Sequence, residues 1–124
     1  TIGISNLIYS IPGLNLSTTA AKIGKYINED LYAVIIDCGN VDAGTGGKTI
    51  THNISDIREI MFYSGIGYNS SDSAFNILPR VDNDITYQRS MRVSTTNIVI
   101  GGAVNAQALT NVKVIILYTK TTTP

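Results

Sequence analysis

The chain has no tryptophan, two phenylalanines, three prolines, one cysteine and one histidine among its 124 residues, and each shortage closes something off. A lone cysteine, Cys38, forms no disulfide within the chain. It sits in the apolar-flanked stretch "YAVIIDCG" beside Asp37 rather than a basic group. It therefore reads as a small buried hydrophobe and not as an activated thiolate. One histidine and one cysteine without paired spacing exclude a zinc site of those ligands inside one chain. Three copies of His52 around a threefold axis leave an axial ion open. Charge is also scarce, at 15% of residues against the usual quarter or so. Nine basic and nine acidic residues cancel, and no run of Lys and Arg exists. Nucleic acid is accordingly not an expected partner, because binding phosphates needs a concentrated basic face. No hydrophobic run reaches the roughly 18 residues of a membrane span and no signal-peptide pattern opens the chain, so membrane insertion is not expected. Starting at Thr1 rather than methionine, the chain reads as a processed product or a piece of something longer.

Serine, threonine and asparagine take the place of charge, and the periodicity they punctuate is that of strands. "LYAVIID" (31 to 37) and "VKVIILYT" (112 to 119) are β-branched runs apolar on both faces. In the second, Val112, Val114, Ile116 and Tyr118 share one face, while Lys113, Ile115 and Leu117 take the other. Such a strand is sandwiched between layers or packed in part against another subunit. "AFNILPRV" (74 to 81) and "STTNIVIGG" (94 to 102) read as further strands, with Pro79 marking an edge or a strand end. Turn chemistry separates them at 28–30, 39–47, 68–73, 81–84 and 101–107. The expected fold is all-β, an antiparallel β-sandwich over residues 21–124, preceded by an arm or connector over residues 1–20. One segment departs from the pattern. Ile54, Ile57, Ile60 and Met61 in "NISDIREIMF" repeat at a helical interval, which leaves a helical turn near 55–60 open.

"GGKTITHNISDIREIMFY" (46 to 63) holds the residues most suggestive of chemistry. Gly47-Lys48-Thr49 ends like a phosphate-binding loop, but Asp42 stands where that loop needs glycine, and a β-branched run follows instead of a helix. A hairpin-like loop is the better reading. His52 belongs to an alternating run, with Ile50, His52 and Ile54 on one face. It reads as a partly buried strand residue with one or two hydrogen bonds, and no G-x-S-x-G nucleophile turn accompanies it. Asp56 and Glu59 pair only if helical. Asp82 and Asp84 in "VDND" suit a polar turn better than calcium, which wants six to eight oxygens. No catalytic residue, metal ligand or cofactor site is expected.

Three phrases point elsewhere. "STTAAKIGKYINEDLYAVIIDCG" (17 to 39), "KTITHNISDIREIM" (48 to 61) and "VIILYTKTTTP" (114 to 124) together resemble, in order and spacing, the framework of the C-terminal receptor-binding domain of bacteriophage tail fibres and receptor-binding proteins. Tyr26 stands where that framework usually has tryptophan, and Asn53 and Asp56 replace its glycine and asparagine. The resemblance implies a homotrimeric, non-enzymatic tip at the distal end of a tail fibre or baseplate of a virion. It implies attachment to a bacterial surface receptor, often a saccharide, and makes His52 a framework residue. The segment that varies in such proteins falls at 63–92, so the receptor contacts expected here are its polar aromatics and polar groups: Tyr63, Tyr68, Asn69, Asp72, Tyr87 and Arg89. The competing expectations are a depolymerase tip that cuts the polysaccharide it binds, and a structural assembly or lectin-like module.

Overall fold

A computed structural model describes residues 17–121. Eight strands and two short 3-10 turns follow one another: β1 (Ala21–Tyr26), β2 (Glu29–Val41), a turn at Gly44–Gly46, β3 (Lys48–Thr51), β4 (Ile57–Asn69), β5 (Ala74–Leu78), a turn at Ile85–Tyr87, β6 (Met91–Val93), β7 (Asn97–Ile100) and β8 (Leu109–Lys120). They form two antiparallel sheets, one ordered β1-β2-β8-β4-β5 and one ordered β3-β7-β6. The chain is thus all-β among the described residues, as its alternation implies. Most of the expected arm lies outside them. Within residues 17–20, Ser17 accepts a hydrogen bond of 2.8 Å from the Ile35 amide.

β8 is the hub because β2 and β4 both pair with it. Its inner face, Val112, Val114, Ile116 and Tyr118, is buried, as expected. Met91, Ile98 and Ile100 of the smaller sheet join the same core, together with Val34, Cys38, Val41, Leu78 and Leu109. Each fully buried aliphatic side chain contributes about 1.5–3 kcal/mol. Among the described residues no second layer covers the β4–β5 side of the other face of the large sheet. There Phe62, Phe75 and Ile77 are 51%, 70% and 64% exposed.

The helical interval at 54–61 is not a helical turn: residues 54–56 are irregular and β4 takes over at Ile57. β4 carries irregularities against β8 between Ile57 and Glu59 and again between Ile60 and Phe62. Each inserts one extra residue, so the core-facing positions run Ile57, Ile60, Tyr63, Gly65, Gly67. Two β-bulges have turned a period of two into a period of three. A third irregularity, opposite Ile66–Tyr68, centres on Asn111, which has φ 53° and whose amide donates to Asn40 Oδ1 at 3.1 Å. It brings Leu109 inward with Val112 and turns Thr110 to the outer face with Tyr68.

Pro79 does what its chemistry dictates. β5 is an edge strand and stops at Leu78. Gly67 is required for a different reason. A Cβ there would lie 2.8 Å from Val112 Cγ2 and 3.1 Å from Leu109 Cβ, on a β-branched side chain with little room to turn. Gly67→Ala is expected to lower the unfolding free energy by about 1–3 kcal/mol through overpacking, read as a reduced urea midpoint at unchanged slope. An unaltered midpoint would show that β4 does not sit this close to the core.

Candidate functional site

The segment 63–92 folds back on itself at one end of the molecule, and the structure sorts its expected contact residues into two kinds. Three are structural. Tyr63 faces inward opposite Ile116, half-buried, its hydroxyl donating to the Met91 carbonyl at 3.5 Å. Asn69 is 0% exposed. Its Nδ2 lies 2.8 Å from Asn76 Oδ1, 2.5 Å from Gln107 Oε1 and 3.3 Å from Asp72 Oδ2, and its Oδ1 accepts from the Ser71 and Asp72 amides. Asn69 therefore closes the β4–β5 turn from inside. Arg89 is only 3% exposed. Its Nε and Nη2 donate to the Gln107 carbonyl at 3.2 and 2.8 Å, and Nη2 also reaches the Asp42 carbonyl at 2.6 Å. Nη1 reaches the Gly101 carbonyl at 3.4 Å. Burial first, and the Arg80 charge second, hold the Arg89 guanidinium below its ordinary pKa. The expectation that Asn69 and Arg89 offer surface contacts is corrected by this burial. Both polar groups are spent on tying three loops together.

The other three remain at the surface. Asp72 is exposed on the β4–β5 turn, 3.9 Å from Arg80 Nη2. Tyr87 is half-buried in its 3-10 turn, which Asp84 caps by accepting from the Thr86 amide at 3.0 Å. The Thr86 hydroxyl and then its amide hold the Asp84 carboxyl below the usual range. Tyr68 lies on the outer face of the large sheet, where its ring meets that of Phe75 edge-on with centroids 5.3 Å apart. These two rings edge a cleft of about 370 Å³ that Ile66, Thr110, Asn111 and Lys113 complete.

Four of the residues that organise this end were not singled out from sequence: Phe75, Arg80, Gln107 and Asn111. Phe75 had a signal, since it mirrors Tyr68 across the turn 70–73 and so must share its face. Arg80 had none. Its guanidinium collects Asn76 Oδ1 and Gln107 Oε1, both at 3.2 Å, and Asp82 Oδ2 at 3.0 Å, the farthest of them 27 positions along the chain.

The reagents suspected at 46–63 are otherwise employed. Lys48 Nζ donates to the Cys38 carbonyl at 2.7 Å and the Asn40 carbonyl at 3.1 Å, fastening β3 to the end of β2. At Gly47, φ is 60° and a Cβ would collide with the Ile100 carbonyl oxygen, so the glycine serves the backbone. Strand β3 follows it, not a helix. His52 is buried directly after β3, with Nδ1 accepting from the Ile54 amide at 3.1 Å and Nε2 lying 2.8 Å from the Ser94 carbonyl oxygen. That pairing assigns the proton to Nε2 and occupies both ring nitrogens. Asp56 and Glu59 are both exposed and non-helical. Among the described residues no three His, Cys, Asp or Glu side chains gather as metal ligands.

No family model, curated protein or solved structure matches the chain.

Two measurements check these assignments. Arg89→Met removes a buried guanidinium that donates to three backbone carbonyls, and a loss of about 2–4 kcal/mol in urea unfolding is expected. A variant as stable as the parent would free Arg89 for another role. Burial pushes the Cys38 thiol up from 9.0 to about 11. At pH 8 roughly one thiol in a thousand is then ionised, and a disulfide reagent should label the folded chain far more slowly than the unfolded one. Because the folded state keeps the proton longer, this group's contribution to stability declines as pH rises from 9.0 towards 11. Equal labelling rates would contradict the buried placement.

Proposed function

We propose that this chain is the receptor-binding tip domain of a bacteriophage tail fibre or receptor-binding protein. In this reading its two sheets pack as an antiparallel sandwich, three copies assemble around an axis, and the assembled tip attaches a virion to a bacterial surface saccharide without cutting it. The observation that carries the proposal is the outer face of the large sheet. Ile35 of β2, Ile115 and Leu117 of β8, Phe62 and Ile66 of β4 and Ile77 of β5 form neighbouring pairs in register across four strands. Single exposed apolar residues are ordinary, but a continuous sheet face of them is the mark of an interaction surface. Closed rotational assembly buries such a face without leaving a further copy unsatisfied. The framework phrases support the same reading, since "LYAVIIDCG" and "VIILYTK" lie in β2 and β8, two of the four strands that build that face.

The surface chemistry agrees. With little charge, the exterior is rich in hydroxyl and amide groups, and hydroxyl-rich ligands are bound by neutral hydrogen-bonding groups together with aromatic faces. A phosphate-reading surface would need the basic density that this chain lacks.

Light scattering at micromolar concentration is expected to give a mass near three times the 13.3 kDa chain. Phe62→Lys, at an exposed position, should yield a soluble species of one-third that mass. A parent chain that stays monomeric, or an unchanged mass in the variant, would remove the assembly. A fluorescent fusion of the parent is expected to coat cells of its host strain and to be competed off by that strain's purified polysaccharide. No new reducing ends should appear on incubation with that polysaccharide. Release of oligosaccharides would make the domain a depolymerase instead.

A further inference from the structure

We infer that the cleft between the Tyr68–Phe75 ring pair and the bulge at Asn111 is a binding site for a neutral pyranose unit. The inference rests on the saccharide-binding reading above and supplies its location and ligand class. Four observations carry it. First, Phe75 is 70% exposed although it belongs to a strand, so an aromatic face is held in water with a partner ring fixing its orientation. Aromatic pairs at 5.3 Å centroid distance in an edge-on arrangement are mutually stabilising, which makes the platform rigid before any ligand arrives. Second, the opposite wall is polar. The backbone of Asn111 is turned to φ 53° by the bulge, and its side-chain amide makes no hydrogen bond to another described residue. Thr110 Oγ1 has only a long contact, 3.5 Å, to the Tyr68 carbonyl.

Third, the cleft is about 370 Å³, at the small end of the roughly 300–1,000 Å³ that ligand sites span. Fourth, the only charge in its lining among the described residues, Lys113, is already offset by Asp37 Oδ1 at 3.2 Å. The Gly39 amide and then Lys113 hold that carboxyl below its usual range. A pyranose answers all four features. Its C–H face lies on the rings, its hydroxyls meet the Asn111 amide, the Thr110 hydroxyl and the ammonium, and no net charge is demanded. An acidic sugar would have to compete with Asp37 for Lys113. Dry burial under a second copy would strip water from the Asn111 amide and the ammonium and return no partner. The site therefore occupies the polar rim of the outer face, with Ile66 on the border between it and the apolar centre assigned to neighbouring copies.

The test uses the full chain, 15N-labelled, titrated with methyl glycosides of glucose, galactose, N-acetylglucosamine and rhamnose, and with methyl glucuronide. At least one neutral glycoside is expected to move the amide signals of Tyr68, Phe75, Thr110 and Asn111, with glucuronide weaker. Phe75→Ala should weaken that binding about tenfold or more. Asn111→Gly, which keeps the positive φ while deleting the amide, should weaken it without unfolding the chain. The inference is overturned by shifts confined to another surface, by no response to any neutral glycoside, by preference for the glucuronide, or by an altered oligomeric mass for Phe75→Ala. The cell-coating assay separates the two proposals. A parent that coats its host, with Phe75→Ala coating equally well, sinks this site and leaves the receptor-binding reading standing. Shifts at the cleft in a chain that coats no host strain do the reverse.

Discussion

The double pairing of β8 sets the terms for the rest of the molecule. A strand bonded on both sides has its backbone groups satisfied and its side chains divided between two faces, with no freedom to slip by one residue. In β8 both faces are apolar along their middle, so neither can be exchanged for a polar one. The inner face is answered by the smaller sheet, which delivers Ile98, Ile100 and Met91. The outer face has no layer of its own among the described residues. That inequality gives the molecule a dry interior and a second greasy surface, and the functional reading starts from the second.

The bulges are the means by which straight sequence meets this twisted hub. Arg58 and Met61 are the extra residues of β4. They keep Ile57, Ile60 and Tyr63 all directed at the core, where strict alternation would have sent Ile60 outward. On β8 the bulge at Asn111 works in the opposite sense, turning Leu109 inward and Thr110 outward. The same local distortion therefore completes the core at one end and builds the polar wall of the cleft. Close approach of β4 to this hub is what excludes a side chain at Gly67.

Much of this was legible in the letters, and the failures have physical causes. The alternation of β8, the edge position of Pro79 and the burial of Cys38 and His52 follow from local patterns, because burial and strand pairing act on neighbours in sequence. The interval at 54–61 was ambiguous because a bulge alters the apparent period, and only pairing against β8 separates that from a helical turn. Asn69 and Arg89 looked like surface groups because polar residues in a Ser-rich or Asp-rich stretch ordinarily are. Their burial depends on Gln107, Asn76 and the carbonyls of Asp42 and Gly101, partners too distant in sequence to leave a local trace. Tyr68 could be picked out, but its partner ring and the amide facing it could not, since both arrive through strand register.

Scarcity of charge links the interior to the exterior. The loops at 69–72, 79–89 and 101–107 are held by amide-to-amide and guanidinium-to-carbonyl bonds, with Arg80 and Asp82 as the principal ion pair. Buried hydrogen bonds to amides and carbonyls gain strength where water is absent and are little screened by salt, whereas exposed ion pairs are screened over about 10 Å at 0.1 M. A surface domain that keeps its shape across changing ionic strength is better served by the first kind. Using amides and backbone carbonyls inside also leaves the outside without strong fields of either sign. Recognition on such a surface has to come from shape, aromatic faces and individually placed donors, and these are the features that converge where β4, β5 and β8 meet at Tyr68, Phe75 and Asn111.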